Sequence, residues 1–378
     1  MKKSLFTLAA LGSFAGAAHA QNSVTLYGLI DAGITYTSNQ GGHSNFQETS
    51  GGVNGSRWGL RGSEDLGSGL KAIFTLESGF NITNGSTGQG GREFGRQAFV
   101  GLSSDQYGAV TLGRQYDSVV DYLGPLSLTG TSSGGTHAAH PYDNDNLDNS
   151  FRISNSVKYQ SVNYGGLKLS GLYGFSNQSD GFANNRAYSF GASYNYGPLD
   201  VAAGYLQLNN SGSSTNTGGA VSDDSTFTAQ SQRTWGVGAN YAFGPAAVGL
   251  VFTQTHLDSL TGIGASASGT SSGLSLGGTG ARFNNYELNA RYDLTPAVTL
   301  SGAYTYTDSR IDGVSPKWNQ FSLQAAYALS KKTDVYLEGV YQHVGNTGGS
   351  DIHAVINGLS ASNTNQQTAV TVGMRVRF

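Results

Sequence analysis

Apolar and polar residues alternate along most of the chain with a period of two. Between residues 285 and 294, tyrosine, leucine and alanine occupy the even positions, while asparagine, glutamate, arginine and aspartate occupy the odd ones. Successive side chains of a β-strand point to opposite faces, so this alternation predicts strands with one apolar and one polar face. The pattern recurs at 298–307, 235–243 and 24–34. It predicts an all-β protein.

The spacing of these segments predicts about sixteen strands, joined by connections that alternate between short and long. The short connections carry ordinary turn residues, as in Gly197-Pro198 and Gly244-Pro245. The long connections, especially 210–232, 259–282 and 347–367, are rich in Gly, Ser, Thr and Asn. The predicted strands lie at 23–37, 56–64, 69–80, 93–104, 108–117, 152–163, 166–177, 186–197, 199–209, 233–244, 246–258, 283–294, 297–309, 317–330, 334–346 and 368–378.

A β-sandwich also has alternating faces, so the connections decide between the architectures. Short turns on one side and long loops on the other are typical of an antiparallel barrel in the bacterial outer membrane. Aromatic residues such as Tyr188, Tyr196, Trp235 and Phe243 lie toward strand ends on the apolar face, where they would form the two interfacial girdles. The pattern therefore favours a transmembrane antiparallel β-barrel of about 16 strands.

Composition narrows the choice further. Only 12% of the 378 residues are charged, against about 25% in soluble domains, and 56 are glycine. Glycine costs a helix interior about 1 kcal/mol relative to alanine, which disfavours a helical bundle. With 21 basic against 24 acidic residues, a nucleic-acid partner is not expected. The absence of cysteine excludes disulfides, thiolate metal sites and cysteine nucleophiles.

The first twenty residues have the pattern of a secretory signal peptide. Lys2 and Lys3 precede an apolar stretch, and Ala18-His19-Ala20 has the small residues of a cleavage site. We therefore expect a signal peptide at 1–20, which is removed, and a barrel domain at 21–378. Removal of two lysines leaves a formal charge near −5 on the mature chain.

Four segments carry a resemblance to a known family. SVTLYGLIDAGITYTSN (23–39), SRWGLRGSEDLGSGLKAIFTLESGF (56–80), RQAFVGLSSDQYGAVTLGRQYD (96–117) and RISNSVKYQS (152–161) resemble the trimeric general porins of Gram-negative outer membranes, in particular their β-proteobacterial branch. The resemblance implies a sixteen-stranded barrel, a homotrimer, and a third loop, here 118–150, folded into each lumen. It implies passive, weakly charge-selective diffusion of ions and small hydrophilic solutes, without enzymatic activity or a cofactor.

The last strand supports this resemblance. Residues 370, 372, 374 and 376 are apolar and the chain ends on Phe378, an ending that resembles the signal recognised by the barrel-assembly machinery. The other expected partners are outer-membrane lipid and lipopolysaccharide.

Strand parity indicates which charged side chains face the lumen. Because Trp58 and Leu60 lie on the lipid face, Arg57 and Arg61 point inward. Arg96 and Arg152 also have the inward parity, the latter in line with Lys158. The resemblance places Arg57, Arg96 and Arg152 in a basic wall with Glu77 beside it. We predict a basic wall of Arg57, Arg61, Arg96 and Arg152, pore acids at Glu77, Asp117, Asp121, Asp143, Asp145 and Asp148, and other lumen charges at Lys71, Lys158, Arg291 and Arg375.

Loop acids opposite an arginine wall would create a transverse field across the pore. The alternative is that some of these carboxylates tie the loop down or lie in solvent. Arg114 has the parity of Val110 and Leu112, so we expect it to brace the base of the third loop or a subunit contact. The arginine wall favours anions slightly.

Several motifs carry less weight. Residues 273–277, GLSLG, match a nucleophile elbow but lie in a Ser/Gly-rich loop rather than between a strand and a helix. His137 and His140, or Asp143, Asp145 and Asp148, lack the remaining ligands of a metal site, so no metal is expected.

Three alternative functions remain open. One is a channel of the same fold tuned to a single solute class. Another is a barrel enzyme, for which His256 and His343 lie near outer strand ends without a convincing nucleophile. The third is a surface adhesin that displays the loops 259–282 and 347–367.

Overall fold

The computed structural model describes residues 23–212, 215–221, 224–264 and 274–378; the predicted signal peptide lies outside these ranges. The strands are β1 Ser23–Gln40, β2 His43–Ser50, β3 Arg57–Gly67, β4 Leu70–Gly79, β5 Gln97–Ser104, β6 Gly108–Gln115, β7 Ile153–Gln160, β8 Leu167–Gly174, β9 Arg186–Tyr196, β10 Leu199–Asn209, β11 Phe227–Thr228, β12 Ser231–Phe243, β13 Ala246–Ile263, β14 Leu274–Asp293, β15 Val298–Ile311, β16 Lys317–Ala328, β17 Thr333–Gly345 and β18 Gln366–Arg377.

One α-helix, α1 Ser118–Tyr122, and short 3₁₀ turns at Gln89–Gly91, Gly124–Leu126, Thr136–Ala138 and Pro141–Asp143 complete the described elements. Among the described residues, no helix has the length and apolar character needed to cross a membrane.

The strands close into one antiparallel barrel, because β1 pairs with β18 as well as with β2 and β3. The strands β2 and β3 both lie against β1 and form one wall strand interrupted at 51–56. In the same way, β11 and β12 both lie against β13. The wall therefore has sixteen strands, and each of the sixteen predicted strands is present. The predicted fold class is confirmed.

The sequence prediction missed β2, the two-residue β11 and the outer parts of two long strands. The predicted loop 259–282 is largely strand, since β13 continues to Ile263 and β14 begins at Leu274. Strand β2 is polar on both faces, with Phe46 its one large apolar residue. Its outward positions 44, 46, 48 and 50 are Ser, Phe, Glu and Ser, so no apolar stripe marks the strand, although Phe46 and Glu48 pair with the apolar residues Tyr36 and Ile34 of β1.

The two faces of the wall have the predicted chemistry. Leu26, Leu250 and Leu288 are exposed on the outside, while Thr253 and Glu287 on the opposite parity are buried inside. The apolar stripe of each strand thus faces lipid, and the polar face lines the lumen.

The chain end closes the barrel. The N–H of Gly28 donates to the main-chain oxygen of Phe378 at 3.1 Å, and the N–H of Phe378 donates to the oxygen of Gly28 at 3.1 Å. The phenyl ring of Phe378 lies over Gly28, where an added Cβ would lie 2.3 Å from the ring Cζ. Glycine at this position is a requirement of packing.

The third loop, residues 116–152, lies inside the barrel on an apolar patch of the inner wall. Helix α1 places Val119 and Leu123 against Leu206 and Leu172, all fully or almost fully buried. Leu172 of β8 and Leu206 of β10 are apolar residues on the inner face of the wall, which is polar in most other strands. In β10, both faces are therefore largely apolar. The apolar patch holds one side of the loop against the wall by burial of hydrophobic surface.

Two buried histidines fix the loop to the opposite wall. His140 contacts the Asp145 carboxylate through Nδ1 at 2.7 Å and the Glu287 carboxylate of β14 through Nε2 at 2.9 Å. His137 contacts Glu338 of β17 at 3.0 Å. Burial alone would lower the pKa of His140, but the two carboxylates outweigh it and raise this pKa to about 10. His140 is therefore charged at neutral pH and donates to both carboxylates.

The loop 346–365 also folds into the barrel mouth. Ile352, Val355 and Ile356 are buried, and the first two belong to an apolar cluster with Trp318 and Val344 of the wall. Much of this loop is therefore packed inside the barrel rather than displayed at the surface.

The packing of Phe378 over Gly28 gives a test of barrel closure. We expect Gly28→Ala to lower the free energy of unfolding by about 1–3 kcal/mol, because the added methyl group displaces the Phe378 ring. The temperature at which the folded barrel unfolds in detergent, followed by its electrophoretic shift, measures this. Gly339→Ala is the control, since nothing lies within 4 Å of its added Cβ. Equal unfolding temperatures for the two variants would contradict this account.

The His140 contacts predict that the third loop loosens in alkali. The pKa of about 10 lies above the usual 6.5, so the stabilisation is complete below about pH 6.5 and is lost as pH rises through 10. The chain has no cysteine, so a nitroxide on Ser132→Cys, an exposed loop position, reports on the loop alone. We expect its spectrum to sharpen between pH 8 and pH 10.5, and to be sharp at every pH in His140→Gln. The substitution of the exposed His43, His43→Gln, serves as control. A spectrum that changes neither with pH nor in His140→Gln would contradict the idea that His140 holds the loop.

Candidate pore constriction

A cavity of about 680 Å³ lies between the inner wall around β3 and β4 and the third loop. Small polar residues, mainly Gly, Ser, Thr and Asn, make up much of its lining. Its charged lining residues are Arg57, Arg96, Arg152, Glu77, Asp121 and Asp148. The structure thus brings together six of the fourteen charged residues predicted from the sequence.

Strand register explains why the basic residues meet. Arg57 begins β3, and Glu77 lies two residues before Gly79, the cross-strand partner of Arg57 in β4. Arg96 immediately precedes β5 and Arg152 immediately precedes β7. Because these residues lie at the same ends of their strands, their side chains converge at one level of the lumen.

Glu77 is the centre of the basic cluster. Its carboxylate lies 2.8 Å from Arg96 Nε and 3.9 Å from Arg57 Nε. The hydroxyls of Tyr27 and Tyr116 donate to the same carboxylate at 3.0 and 3.2 Å. Four groups therefore share the single negative charge of Glu77. The three guanidiniums of Arg57, Arg96 and Arg152 are only partly neutralised by it.

Arg152 has unused hydrogen-bonding capacity at the cavity wall. Its guanidinium lies 5.8 Å from the centre of the Tyr116 ring, and its buried Nε has no hydrogen-bond partner among the described residues. Burial, with the neighbouring charge of Arg96, lowers the pKa of Arg152 to about 10, so the group stays charged at neutral pH. An anion in the cavity would offset its charge.

The loop side of the cavity carries two carboxylates with different surroundings. Asp148 accepts a hydrogen bond from Asn357 Nδ2 at 3.2 Å, and burial raises its pKa to about 7. Asp121 forms an ion pair with Lys158, which also donates to the carbonyl of Tyr116 at 2.9 Å. Burial raises the pKa of Asp121, although Lys158 opposes this.

Three predicted pore acids lie elsewhere. Asp117 accepts the N–H groups of Val119 and Val120 at the start of α1. Asp143 accepts the N–H groups of residues 148 and 150 at 3.0 Å each, and Asp145 binds His140 and the wall. All three carboxylates are fully buried and none lines the cavity.

The physical reason for this correction is the conformation of the loop. Tyr142, Asp143, Asn146 and Asn149 all have positive φ, so the stretch forms single turns rather than a continuous helix. The N–H groups of residues 148, 150 and 151 instead donate to side chains. Asp143 supplies the first two of these acceptors, as in the alternative interpretation.

Four other predicted lumen charges lie away from the cavity. Arg61 is exposed, with its guanidinium 5.4 Å from the centre of the Tyr27 ring. Lys71 pairs with Asp105 at 3.2 Å and Arg291 with Asp293 at 2.9 Å, both at exposed short-turn ends. Arg375 is buried, and it binds Asp334 at 2.8 Å and the carbonyl of Ser132 in the third loop at 2.5 Å. Arg375 therefore braces the loop.

Arg114, excluded from the predicted pore list, links the segments around the base of the loop. It donates to the carbonyl of Gly95 at 2.8 Å, to Ser154 Oγ at 2.8 Å and to Asp224 at 2.5 Å.

Three residues that bind the cavity carboxylates were not predicted from the sequence: Tyr27 and Tyr116, which donate to Glu77, and Asn357, which donates to Asp148. Of these, Tyr27 has a sequence signal, because it has the lumen parity between Leu26 and Gly28.

The structure places neither the GLSLG segment nor the His137/His140 pair in the setting of a catalytic or metal site. Residues 274–277 of GLSLG belong to β14, which continues as strand, and residue 273 lies outside the described ranges. His137 and His140 bind carboxylates. The described residues contain no group of three or more His, Asp or Glu side chains placed to hold a metal ion.

Comparison with known proteins agrees with this geometry. The family model described as Gram-negative porin matches residues 7–349. The chain is 36% identical to an outer membrane porin protein of Bordetella pertussis and 31% identical to outer membrane porin protein 32 of Delftia acidovorans, over the full length of each. Its fold is similar to that of an anion-selective porin from Comamonas acidovorans, with a TM-score of 0.74, 27% identity and coverage of 95% of this chain and 100% of that one. The chain therefore belongs to the Gram-negative porin family and is an outer-membrane channel for the passive diffusion of ions and small hydrophilic solutes.

Proposed function

We propose that this porin prefers anions, that three chains form its trimer, and that it catalyses no reaction. The observation that carries the anion preference is the excess of guanidinium groups at the cavity. The trimer follows from the family resemblance. The similar Comamonas protein is described as anion-selective, which supports the same preference here.

The charges at the cavity sum to an excess of positive charge. Arg57, Arg96 and Arg152 contribute three positive charges, and Glu77 contributes one negative charge. Asp121 and Lys158 neutralise each other. The remaining acid, Asp148, has a pKa of about 7 and is largely uncharged below neutral pH. A passing anion is attracted over the whole length of this cluster, since the field of fixed charges in a narrow lumen is weakly screened.

The cavity lining favours general diffusion over selection of one solute class. Apart from its charges, the lining offers mainly small polar side chains and main-chain groups, with few aromatic rings such as Phe80 and Tyr116. A site for one solute class would need a denser, more specific set of groups. An adhesive role is not favoured either, because the loop 346–365 is packed into the mouth.

The two histidines considered for a barrel enzyme, His256 and His343, each hydrogen-bond one polar side chain. His256 contacts Asp258 at 3.1 Å and His343 contacts Asn365 at 3.3 Å. The nearby Ser231 hydroxyl donates to Asp258 rather than to His256, so no serine is activated by a histidine there, which supports a channel without catalysis.

Neutralising part of the arginine cluster should reduce the preference for anions. We expect Arg57→Gln/Arg152→Gln to lower the chloride-to-potassium permeability ratio about 30-fold, because each lost charge disfavours chloride and favours potassium by similar amounts. Each charge about 8 Å from a passing ion contributes ~0.5 kcal/mol even at the dielectric constant of water. The reversal potential in a planar bilayer under a salt gradient measures the ratio, and conductance in groups of three equal steps would show the trimer. Lys331→Gln/Lys332→Gln, at the exposed β16–β17 turn, is the charge-matched control. An unchanged reversal potential in Arg57→Gln/Arg152→Gln would show that these arginines do not set the anion preference.

The raised pKa of Asp148 predicts that selectivity depends on pH. An acid with a pKa of about 7 is uncharged below pH 7 and negative above it, so it adds a negative charge to the cavity as pH rises. We expect the chloride-to-potassium permeability ratio to fall about fourfold between pH 6 and pH 8, since the new charge at about 8 Å disfavours chloride and favours potassium by ~0.4 kcal/mol each. The same reversal-potential measurement on Asp148→Asn should show no change over this range. A wild-type channel with constant selectivity from pH 6 to pH 8 would be inconsistent with this role.

A further inference from the structure

A buried ion pair lies beside the arginine cluster of the cavity. Arg114 of β6 contacts Asp224, in the segment between β10 and β12, with the guanidinium Nη2 2.5 Å from the carboxylate Oδ2. The two side chains are 8% and 2% exposed, and neither residue lines the cavity. A passing ion therefore does not contact this pair.

An irregularity in β6 explains why Arg114 is buried. Its position along the strand has the outward parity of Val110 and Leu112. The register of β6 against β7 shifts between Gly113 and Gln115, and Gly113 has a φ of 140°, a conformation that favours glycine. A bulge of this kind re-aims the side chains beside it. Arg114 thereby leaves the lipid face.

The pair contacts the main chain beside two of the pore arginines. Arg114 Nε donates to the carbonyl of Gly95, the residue before Arg96, at 2.8 Å, and Arg114 Nη1 donates to the carbonyl of Arg152 at 3.3 Å. The Asp224 carboxylate accepts from the N–H of Arg152 at 3.4 Å. Both charges thus lie against the main chain of Arg152, whose side chain lines the cavity.

The segment that carries Asp224 is held against the wall by contacts that involve no charge. The N–H of Ser154 donates to the carbonyl of Ala220 at 2.8 Å, and Asn155 Nδ2 donates to the carbonyl of Gly218 at 2.8 Å. Ala220 is fully buried in the apolar cluster that the third loop forms with the wall. A tether at this point needs no carboxylate, which favours an electrostatic role for Asp224.

Both charges of the pair act on Arg152. Burial and the charge of Arg96 lower the pKa of Arg152; among the weaker influences, Arg114 lowers this pKa further and Asp224 raises it. The two charges thus offset each other at Arg152. Oδ1 of Asp224 is buried and accepts no hydrogen bond from the described residues, so Asp224→Asn removes the charge without removing a hydrogen bond.

We propose that Asp224 is a specificity-determining residue of the pore: it offsets the buried charge of Arg114 and so limits the net positive charge at the constriction. This role, which rests on the anion preference proposed for the pore, needs no contact with the solute. A buried charge is screened less than an exposed one, so it acts on an ion beyond the Arg152 side chain. A unit charge ~10 Å from the ion changes the chloride-to-potassium permeability ratio about fourfold at the dielectric constant of water, because it acts on the two ions in opposite directions.

Reversal potentials in a planar bilayer under a salt gradient test this role. We expect Asp224→Asn to raise the chloride-to-potassium permeability ratio about fourfold, because Arg114 stays charged. Arg114→Gln should lower the ratio about fourfold, and Arg114→Gln/Asp224→Asn should return it close to the wild-type value. Asp308→Asn is the matched control, since this carboxylate lies 3.7 Å from Lys317 on the outer face of the barrel, and its ratio should equal that of the wild type.

A purely structural role of the pair predicts a different pattern. If Arg114 and Asp224 only held the main chain, both single variants would displace Arg152 and shift the permeability ratio in the same direction, and the double variant would not restore it. That pattern would overturn the proposal, and so would a wild-type ratio in Asp224→Asn.

The same recordings separate this role from the proposed anion preference. Each shift is measured relative to the wild type, so a wild-type channel that prefers cations would contradict the anion preference, while the opposite shifts of the two single variants would still support the role of the pair. Single-channel conductance shows whether each variant forms an open pore. If Arg114→Gln forms none, an about fourfold higher ratio in Asp224→Asn than in the double variant supports the role of the pair, and equal ratios in these two variants overturn it.

Discussion

The requirement that every backbone N–H and C=O in the hydrocarbon be paired determines the architecture of this protein. A sheet in lipid can meet it only by closing on itself. Here closure depends on the pairing of β1 with β18, which ends in the two hydrogen bonds between Gly28 and Phe378. Because the side-chain period of a strand is two, closure also fixes the chemistry of both surfaces. One parity must be apolar toward lipid, and the other is free to be polar toward an enclosed lumen.

The third loop exists inside that lumen under a second constraint. A loop with many positive φ values has main-chain N–H groups that no helix or strand satisfies, and its carboxylates and amides accept them. On one side the loop buries apolar residues of α1 against the wall; on the other, His137 and His140 bind Glu338 and Glu287. The excess positive charge of the cavity follows from this division. Most loop acids are consumed in holding the loop, while the arginines of the wall remain only partly neutralised.

These constraints also explain what could be predicted from the sequence. Most strands alternate between apolar and polar residues, so all sixteen were predictable, whereas β2 lacks an apolar stripe. The apolar inner face of β10 was not predictable, because it depends on the loop that packs against it. Parity indicates that Arg57, Glu77, Arg96 and Arg152 face inward, and the family resemblance places all four at the constriction. Their common level depends on strand register, which parity alone does not determine. The positions of Asp143 and Asp145 could not be predicted, because they depend on the φ values of single loop residues and on contacts with strands more than a hundred residues away.

Arginine side chains lie on both surfaces of the barrel wall, and strand parity decides which surface each one faces. Arg57 begins its strand with the lumen parity and lines the cavity, whereas Arg282 has the outward parity and is exposed outside the barrel. A shift of register by one residue would exchange the two sets, moving arginines of the pore into lipid and leucines into the lumen. The low content of charged residues is consistent with this sensitivity, since each charge on a barrel strand is tolerated only at certain depths and on one parity. Charge in this chain is therefore best interpreted residue by residue, from parity and depth, rather than from the net value of −3.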